Sequence, residues 1–138
     1  MVDRRIIIEK ADTIEQSLQR VVERRGSNCA VFSADRDLQD SVILHLMQAV
    51  QGCIDLAAHV VSDEGLGVAS STRDFFYILS DKKLIEAELS EKMVKAVGFR
   101  NLLAHEYAKL DLAQVYAIAT EGVRDLEAFL AAMLRRFV

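Results

Sequence analysis

The sequence predicts an all-α protein, an antiparallel bundle of four long helices and one short helix. Apolar residues recur at intervals of three and four along most of the chain, and no segment shows the sustained alternation typical of a strand. Proline is absent and long polar runs are scarce, so the helices are joined by short connections, which favour antiparallel neighbours. With 138 residues, the chain has the size of one domain, covering residues 1–138.

The first two long helices lie in the N-terminal half. In residues 3–25 the apolar side chains follow a helical step, and Gly26, Ser27 and Asn28 end that helix. A longer helix runs from Ala34 to Ser62 and also carries apolar residues off its main stripe, which predicts cover by other helices or by a second subunit. The two main stripes are Ile7, Ala11, Ile14, Leu18, Val21 and Val22, and Leu38, Val42, Leu46, Val50, Ile54, Ala57 and Val61.

A short helix follows the glycine- and serine-rich loop at residues 63–71. Ser71 and Asp74, three residues apart, have the spacing of a capping box, in which each side chain bonds the backbone of the other residue. This pair predicts a helix that opens at Ser71 and continues to about Leu79.

Two further long helices complete the predicted bundle. One starts near Ile85 or Glu86 and places apolar residues in a single row that leads into residues 98–107. The last starts at Asp111, a residue type that caps helix N-termini, and keeps the helical step to the end of the chain. The row of the first of these helices contains Ile85, Leu89, Met93, Ala96 and Leu103.

Composition narrows the classes of function. Apolar residues make up 51% of the chain and charged residues 28%, and no apolar run approaches the roughly 20 residues of a membrane span. Cys29, in a predicted loop, and Cys53, in a helix, form neither a disulfide framework nor a metal motif. The first residues lack the apolar segment of a secretory signal, so we expect a cytoplasmic protein without a membrane association. A net charge of −4 disfavours nucleic-acid binding by bulk attraction.

The stretch GFRNLLAHEY, residues 98–107, sets three polar side chains into an apolar helix. On an ideal helix Arg100 and Tyr107 share the apolar row, so the guanidinium there needs an acid, a bound anion or a wet cleft. His105 lies about 140° around the helix from Arg100. The two converge only if the helix loosens near Ala104 or a second subunit completes the site, and Gly98 allows a close helix approach.

A plainer interpretation of the same residues is structural. A histidine in the last turn of a helix is stabilised by the helix dipole and serves as a cap. An arginine and a tyrosine beside apolar residues can extend their polar ends to the surface. Spacing alone does not choose between this interpretation and a functional site.

The motif resembles the signature of the HEPN superfamily, and more closely that of HepT toxins, in which arginine, four residues, histidine, one residue and tyrosine follow one another. Here these are Arg100, His105 and Tyr107. The runs CIDLAAHV, EGLGVASS, MVKAVGFRNLLAHEY and LDLAQVYAI are also similar to HepT sequences, in the same order, so the resemblance covers roughly residues 30–138.

The resemblance implies a metal-independent endoribonuclease that acts as a homodimer, with two Arg–His motifs facing each other, and needs no cofactor. His105 would act as general base or acid, and the partner's copy would take the other role. Arg100 would hold the phosphate, and Asn101 could add a hydrogen bond or be structural. No carboxylate cluster at metal-ligand spacing is present in the sequence.

The resemblance also assigns a separate role to Tyr107. In HepT pairs the antitoxin, a minimal nucleotidyltransferase called MntA, transfers AMP to the motif tyrosine and silences the RNase. The added AMP would bring a bulky anion to the place where an RNA phosphate must lie. The structural alternative is a tyrosine at a helix end with its hydroxyl in water.

Several alternatives stay open. The chain could be a catalytically inactive HEPN module that binds a nucleotidyltransferase or a nucleotide without cleaving RNA. Asp37, Asp40 or Asp55 could pair with Arg100 and make it partly architectural. We interpret His45 and His59 as structural. The basic residues of one further cluster could hold RNA or simply be solvated: Arg20, Arg24, Arg25 and Arg36.

Overall fold

The computed structural model of the protein describes residues 1–138, with the exception of the side chain of Tyr107. The α-helices are α1 (Arg4–Arg25), α2 (Cys29–Ala34), α3 (Arg36–Asp63), α4 (Thr72–Asp81), α5 (Ala87–His105), α6 (Leu112–Ala117) and α7 (Val123–Phe137). A 3-10 turn at Tyr107–Lys109 follows α5, and a π-helical turn at Ile118–Gly122 joins α6 to α7. The predicted all-α bundle of four long helices and the short helix α4 is confirmed, with α6 and α7 forming the fourth rod. Helix α2 is a further short helix that was not predicted, and the described backbone contains no strand.

Helices α1 and α3 run antiparallel and pack on each other more extensively than any other pair. The N-terminal ammonium of Met1 donates to the backbone carbonyl of Asp63, at the far end of α3, over 2.9 Å. Where the helices cross, a Cβ added at Gly52 would lie 2.5 Å from Cγ1 of Ile14. Since atoms cannot approach so closely, glycine at this position is what lets α1 lie against α3.

One apolar core joins all four long helices. The predicted stripe of α1 is buried at five positions, while Val22 is 40% exposed and so lies outside the core. Most of the predicted stripe of α3 is buried, and Leu38, at its start, is half-buried. Phe76 of α4 packs edge-to-face on Phe129 of α7, with 5.4 Å between ring centroids. The α4 helix therefore closes one side of the core.

The starts of the later helices follow the sequence closely. The capping box at the start of α4 is present, and Asp74 Oδ2 accepts from the backbone N–H of Ser71 over 3.2 Å. Glu86 is the N-cap of α5. Asp111 caps α6 by accepting from the N–H of Ala113 over 3.0 Å. The predicted boundaries are confirmed to within one or two residues.

The prediction that Cys29 lies in a loop is wrong, because residues 29–34 form helix α2. Asn28 caps this helix by accepting from the N–H groups of Ala30 and Val31. Its Phe32 is fully buried and packs on Tyr116, with 5.4 Å between centroids. Six residues give too little periodicity to be distinguished from a loop by pattern alone.

The last helical rod contains a π-helical turn that the sequence did not indicate. In such a turn the hydrogen bonds run from i to i+5, which accommodates one extra residue in the rod. Arg25, at the end of α1, donates its Nε to the carbonyl oxygen of Ala119 within the turn over 2.7 Å. Thr120 Oγ1 donates to the carbonyl of Tyr116 over 2.7 Å. Side chains thus hold carbonyls at the irregular turn, and the half-buried Arg25 is structural.

Helix α3 is long and apolar enough to cross a membrane by length and composition alone, with a mean hydropathy of 1.3 over 18 residues. Half of that window is buried inside the protein. A core helix has the same properties, and α3 is the helix that contacts α1, α4, α5 and α7.

Candidate functional site

The residues of the motif lie at the C-terminal end of α5. The α-helix continues through His105, and the backbone leaves it at Glu106, with φ −130° and ψ 40°. Tyr107 begins the 3-10 turn, so the expectation that it continues the row of Arg100 along one helix is wrong. The side chain of Tyr107 lies outside the described part of the structure.

Arg100 is half-buried and faces α3. Its Nη1 donates to the side-chain oxygen of Gln51 over 2.9 Å. Its Nε is buried and has no hydrogen-bond partner among the described residues. A buried donor without a partner costs about 1–3 kcal/mol. The described residues therefore leave part of the hydrogen-bonding capacity of this guanidinium unused.

Gln51 connects Arg100 to one of the three aspartates of α3 that could have paired with it. Its side-chain nitrogen donates to Oδ1 of Asp55 over 3.0 Å. Asp55 is exposed, one helical turn beyond Gln51. The link from Arg100 to a carboxylate thus runs through a neutral amide. Sequence reasoning missed Gln51, although its spacing of four residues from Asp55 is typical of a side-chain pair on one helix face.

His105 and Asn101 complete the described residues of the motif. His105 is exposed, and Asn101 is half-buried. Arg100 and His105 lie about 7.5 Å apart along the axis and about 140° around it, because the helix is regular between them. Of the two alternatives left open by the sequence, a loosening near Ala104 is absent. One chain therefore holds the two side chains on different sides of the same helix end.

Gly98, about two turns before this end, does not serve a close approach among the described residues. A Cβ added there would meet no atom within 4 Å. The close approach occurs instead at Gly52, between α1 and α3. Among the described residues, the space beside Gly98 on α5 is therefore open.

The other histidines make local contacts on α3. His45 Nδ1 lies 3.1 Å from Oε1 of Gln48. His59 Nε2 lies 3.1 Å from Oδ2 of Asp63, without the angles of a hydrogen bond, so the contact is electrostatic when His59 is protonated. Within the described residues, no three histidine, cysteine, aspartate or glutamate side chains lie close enough together to hold a metal ion.

The geometry defines a class of protein: a helical bundle in which an arginine and a histidine are presented at one helix end, next to a tyrosine in the following turn. The chain belongs to the HepT-like ribonuclease family, whose profile, "Ribonuclease HepT-like", matches residues 14–133. The family resemblance read from the motif is confirmed.

Individual relatives agree with this assignment. The chain is 38% identical to the mRNA nuclease HepT of Shewanella oneidensis over 125 residues, which cover 91% of this chain and 93% of that protein. It is 29% identical to the tRNA nuclease HepT of Aphanizomenon flos-aquae over 79 residues, 56% of this chain and 54% of that one.

Solved structures of toxins bound to antitoxins share the fold. The tri-AMPylated HEPN toxin of Shewanella oneidensis, in complex with its MNT antitoxin, superposes with a TM-score of 0.86 at 35% identity, covering 96% of this chain and 98% of that one. A toxin from a toxin–antitoxin structure with AMP-PNP gives 0.87 at 36% identity, covering 93% and 96%. The Bacillus subtilis protein YutE, at 16% identity and a TM-score of 0.81, shares the fold; the match covers 99% of this chain and 90% of YutE.

Proposed function

We propose that this protein is the toxin of a toxin–antitoxin pair and cleaves RNA without a metal ion, using Arg100 and His105. The observation that carries the proposal is the state of Arg100: half-buried, held by an amide, with its Nε buried and without a partner among the described residues. An anion with several oxygens, such as an RNA phosphate, is the ligand a guanidinium binds best. The names of the relatives, nucleases of mRNA and tRNA, support RNA as the substrate.

The site is composite, formed by two copies of the chain. Because α5 is regular up to His105, Arg100 and His105 of one chain point to different sides of the helix. A two-fold axis at this end of α5 would bring the arginine of one copy toward the histidine of the other. This arrangement supplies two histidines to one phosphate.

Two histidines are what the reaction requires. One must take the proton of the attacking 2′-hydroxyl, and the other must protonate the leaving 5′-oxygen. Histidine changes its charge near neutral pH, so both roles are accessible to His105 and its symmetry mate. Arg100 stabilises the charge that develops on the phosphate, and Asn101, next to it and half-buried, adds a hydrogen bond. An RNA substrate of this kind places the reaction in the cytoplasm.

Control of this activity falls to Tyr107 and a nucleotidyltransferase antitoxin of the MntA type. The solved complex of an AMPylated HEPN toxin with an MNT antitoxin supports this partner. Tyr107 lies two residues after His105, so an AMP attached there adds negative charge beside the residues that bind the RNA phosphate. Repulsion and steric overlap would both prevent RNA binding.

The test of catalysis compares the wild-type chain, purified without antitoxin, with the His105→Ala variant on total RNA in excess EDTA. We expect cleavage by the wild type and none by the variant, because the general acid–base group is lost. Circular dichroism and sedimentation confirm that both are folded dimers. Equal cleavage by both proteins would refute the role of His105. If a folded wild-type dimer with unmodified Tyr107 cleaves no RNA, the protein is an inactive module that binds a nucleotidyltransferase or nucleotide.

The test of control uses mass spectrometry after incubation with the cognate nucleotidyltransferase and ATP. We expect AMP on Tyr107 and a loss of cleavage that follows the modified fraction. Tyr107→Phe, which lacks the acceptor oxygen, is the matched control and should stay active and unmodified. Modification at another residue would contradict the assignment.

A further inference from the structure

Gln51 is the side chain that fixes the hydrogen-bonding environment of Arg100. Its oxygen accepts from Arg100 Nη1 over 2.9 Å and its nitrogen donates to Asp55 Oδ1 over 3.0 Å. An arginine can only donate and a carboxylate can only accept, so the two neighbours determine which way round the amide lies. A flipped amide would lose both bonds. Asp55 thus orients Gln51, and Gln51 orients Arg100.

An amide acceptor differs from a carboxylate in its effect on the charge of the arginine. A carboxylate at position 51 would hold Arg100 as well or better, in a charge-assisted hydrogen bond. It would also place a negative charge about 3 Å from the guanidinium, where it would compete with a phosphate for the same cation. Glutamine holds the guanidinium and adds no charge.

The partly buried position makes this difference important. The Nη1–Oε1 bond is partly buried, and the neighbouring Nε is buried, so solvent screens this part of the guanidinium only weakly. Asp55, which carries the nearest charge in the link, is exposed to water. The negative charge is thereby kept at the solvent end of the link and the neutral group at the arginine end.

We propose that Gln51, oriented by Asp55, is a positioning residue that holds the Arg100 guanidinium for an RNA phosphate while adding no negative charge to it. The proposal rests on the function proposed above for Arg100. Gln51 acts through Arg100 and does not itself touch the substrate. Two properties follow and can be separated: the geometry of the guanidinium, and the positive charge it offers.

Charge is tested with Gln51→Glu and a single-stranded 2′-O-methyl oligonucleotide, which lacks the attacking hydroxyl and is not cleaved. Each phosphate contact contributes about 0.7 to the slope of log K against log salt for single strands. We expect Gln51→Glu to reduce the magnitude of this slope by up to about 0.7 and to weaken binding at low salt. Gln48→Glu adds the same charge on the same helix, at an exposed residue that contacts His45, and should keep the wild-type slope.

Geometry is tested with Gln51→Met, which has a similar length but accepts no comparable hydrogen bond. We expect kcat to fall about 10- to 100-fold, because Arg100 is no longer held for the transition state, while KM and the salt slope change little. Asp55→Ala should lower kcat in the same way to a smaller extent. Asp55→Asn keeps an acceptor for Gln51 and should recover most of the loss. If Gln51 were merely structural, Gln51→Met would lower Tm but would not lower kcat selectively while leaving KM unchanged.

The outcomes separate this inference from the proposed function. If the wild type cleaves RNA and both Gln51 variants match it in kcat and salt slope, the role of Gln51 is refuted and the RNase assignment stands. If the wild type cleaves no RNA but Gln51→Glu alone lowers the slope, the RNase assignment fails and the effect of residue 51 on the charge of Arg100 stands. If Gln48→Glu lowers the slope equally, the effect is one of general acidity and the inference is wrong.

Discussion

Two helical glycines, Gly52 of α3 and Gly98 of α5, occupy opposite environments. A Cβ on Gly52 would overlap the buried side chain of Ile14 at 2.5 Å, whereas a Cβ on Gly98 would meet nothing within 4 Å. Glycine in a helix costs roughly 0.5–1 kcal/mol relative to alanine. At Gly52 the chain's own packing explains that cost. At Gly98 no packing among the described residues explains it.

The residues around the two glycines differ as well: those near Gly52 are apolar and packed, and those near Gly98 include polar side chains. Gly52 lies where α1 and α3 bury a continuous apolar surface that includes Ile14. Gly98 lies about two turns before the exposed His105 on nearly the same face of α5, and two residues before the half-buried Arg100, whose Nε has no partner among the described residues. One region is complete within the chain, while the other offers open space and polar groups. A residue that stabilises the fold and a residue that serves the site can thus be distinguished by substitution.

The largest expected effect is that of Arg100→Ala on catalysis. In the proposed reaction Arg100 stabilises charge in the transition state, so its removal should lower kcat about 10²- to 10³-fold or more. The free energy of unfolding should change by less than about 1 kcal/mol, because the lost bond to Gln51 is offset by removal of an unsatisfied buried donor. RNA cleavage and urea denaturation measure the two quantities. A large loss of stability with normal cleavage would show that Arg100 serves the fold and not catalysis.

Gly52→Ala should have the converse effect. The added methyl forces Ile14 or the whole of α1 to move, which should cost about 1–3 kcal/mol of unfolding free energy. Cleavage per folded molecule should stay normal. Ile14→Ala in the same chain relieves the overlap, so the double variant should lose less stability than the sum of the single variants. Additive losses would show that the two residues do not oppose each other.

Gly98→Ala is the same substitution in the other environment, and its effect on the chain should have the opposite sign. Better helix propensity should raise the unfolding free energy of a single chain by about 0.5–1 kcal/mol. If a second copy packs on this surface, the methyl should also weaken the dimer and lower cleavage. Denaturation at several protein concentrations, together with sedimentation, separates the two effects. A stabilised chain with an unchanged dimer would place the interface elsewhere.

The smallest expected effect concerns Glu15, which follows Ile14 on α1. Burial raises the pKa of this carboxyl, with further contributions from Glu127 and Asp12. Because the pKa of Glu15 is raised in the folded state, protonation of Glu15 stabilises the fold. This stabilisation is fully present at acid pH and is lost as pH rises through the folded-state pKa. Glu15→Gln should therefore gain stability relative to the wild type as pH rises, by at most about 0.5 kcal/mol at neutral pH. Thermal denaturation from about pH 4 to pH 7 tests this. An unchanged difference across that range would contradict it.

Most of the fold could be predicted from the sequence because long helices repeat their signals many times. The four rods follow from apolar periodicity over many turns, and Ser71, Asp74 and Asp111 mark starts that side-chain capping bonds fix locally. Short or irregular segments carry no such repetition. Helix α2 has six residues, and the π-helical turn depends on contacts such as that of Arg25 with Ala119, which lies 94 residues away in sequence.

The candidate site was only partly accessible from sequence, for the same reason. Arg100 and His105 stand out because they interrupt an apolar helix at a recognisable spacing. The partner of Arg100 does not stand out, because Gln51 is an ordinary polar residue of α3, 49 residues earlier. The three aspartates of α3 were more obvious candidates on charge alone. Which residue of one helix meets which residue of another depends on packing, and periodicity does not specify it.

The π-helical turn at Ile118–Gly122 makes the phase of the last rod depend on a single residue. Each residue of an α-helix turns the chain by about 100°, so deleting one residue from this turn would restore a regular helix and rotate everything before it by that angle. The rotated part would be α6 with its Asp111 cap, and the segment from Glu106 to Leu110 is attached to that cap. The direction in which the segment from Glu106 to Leu110 leaves α6 is thus set partly by an irregularity some ten residues further along the chain.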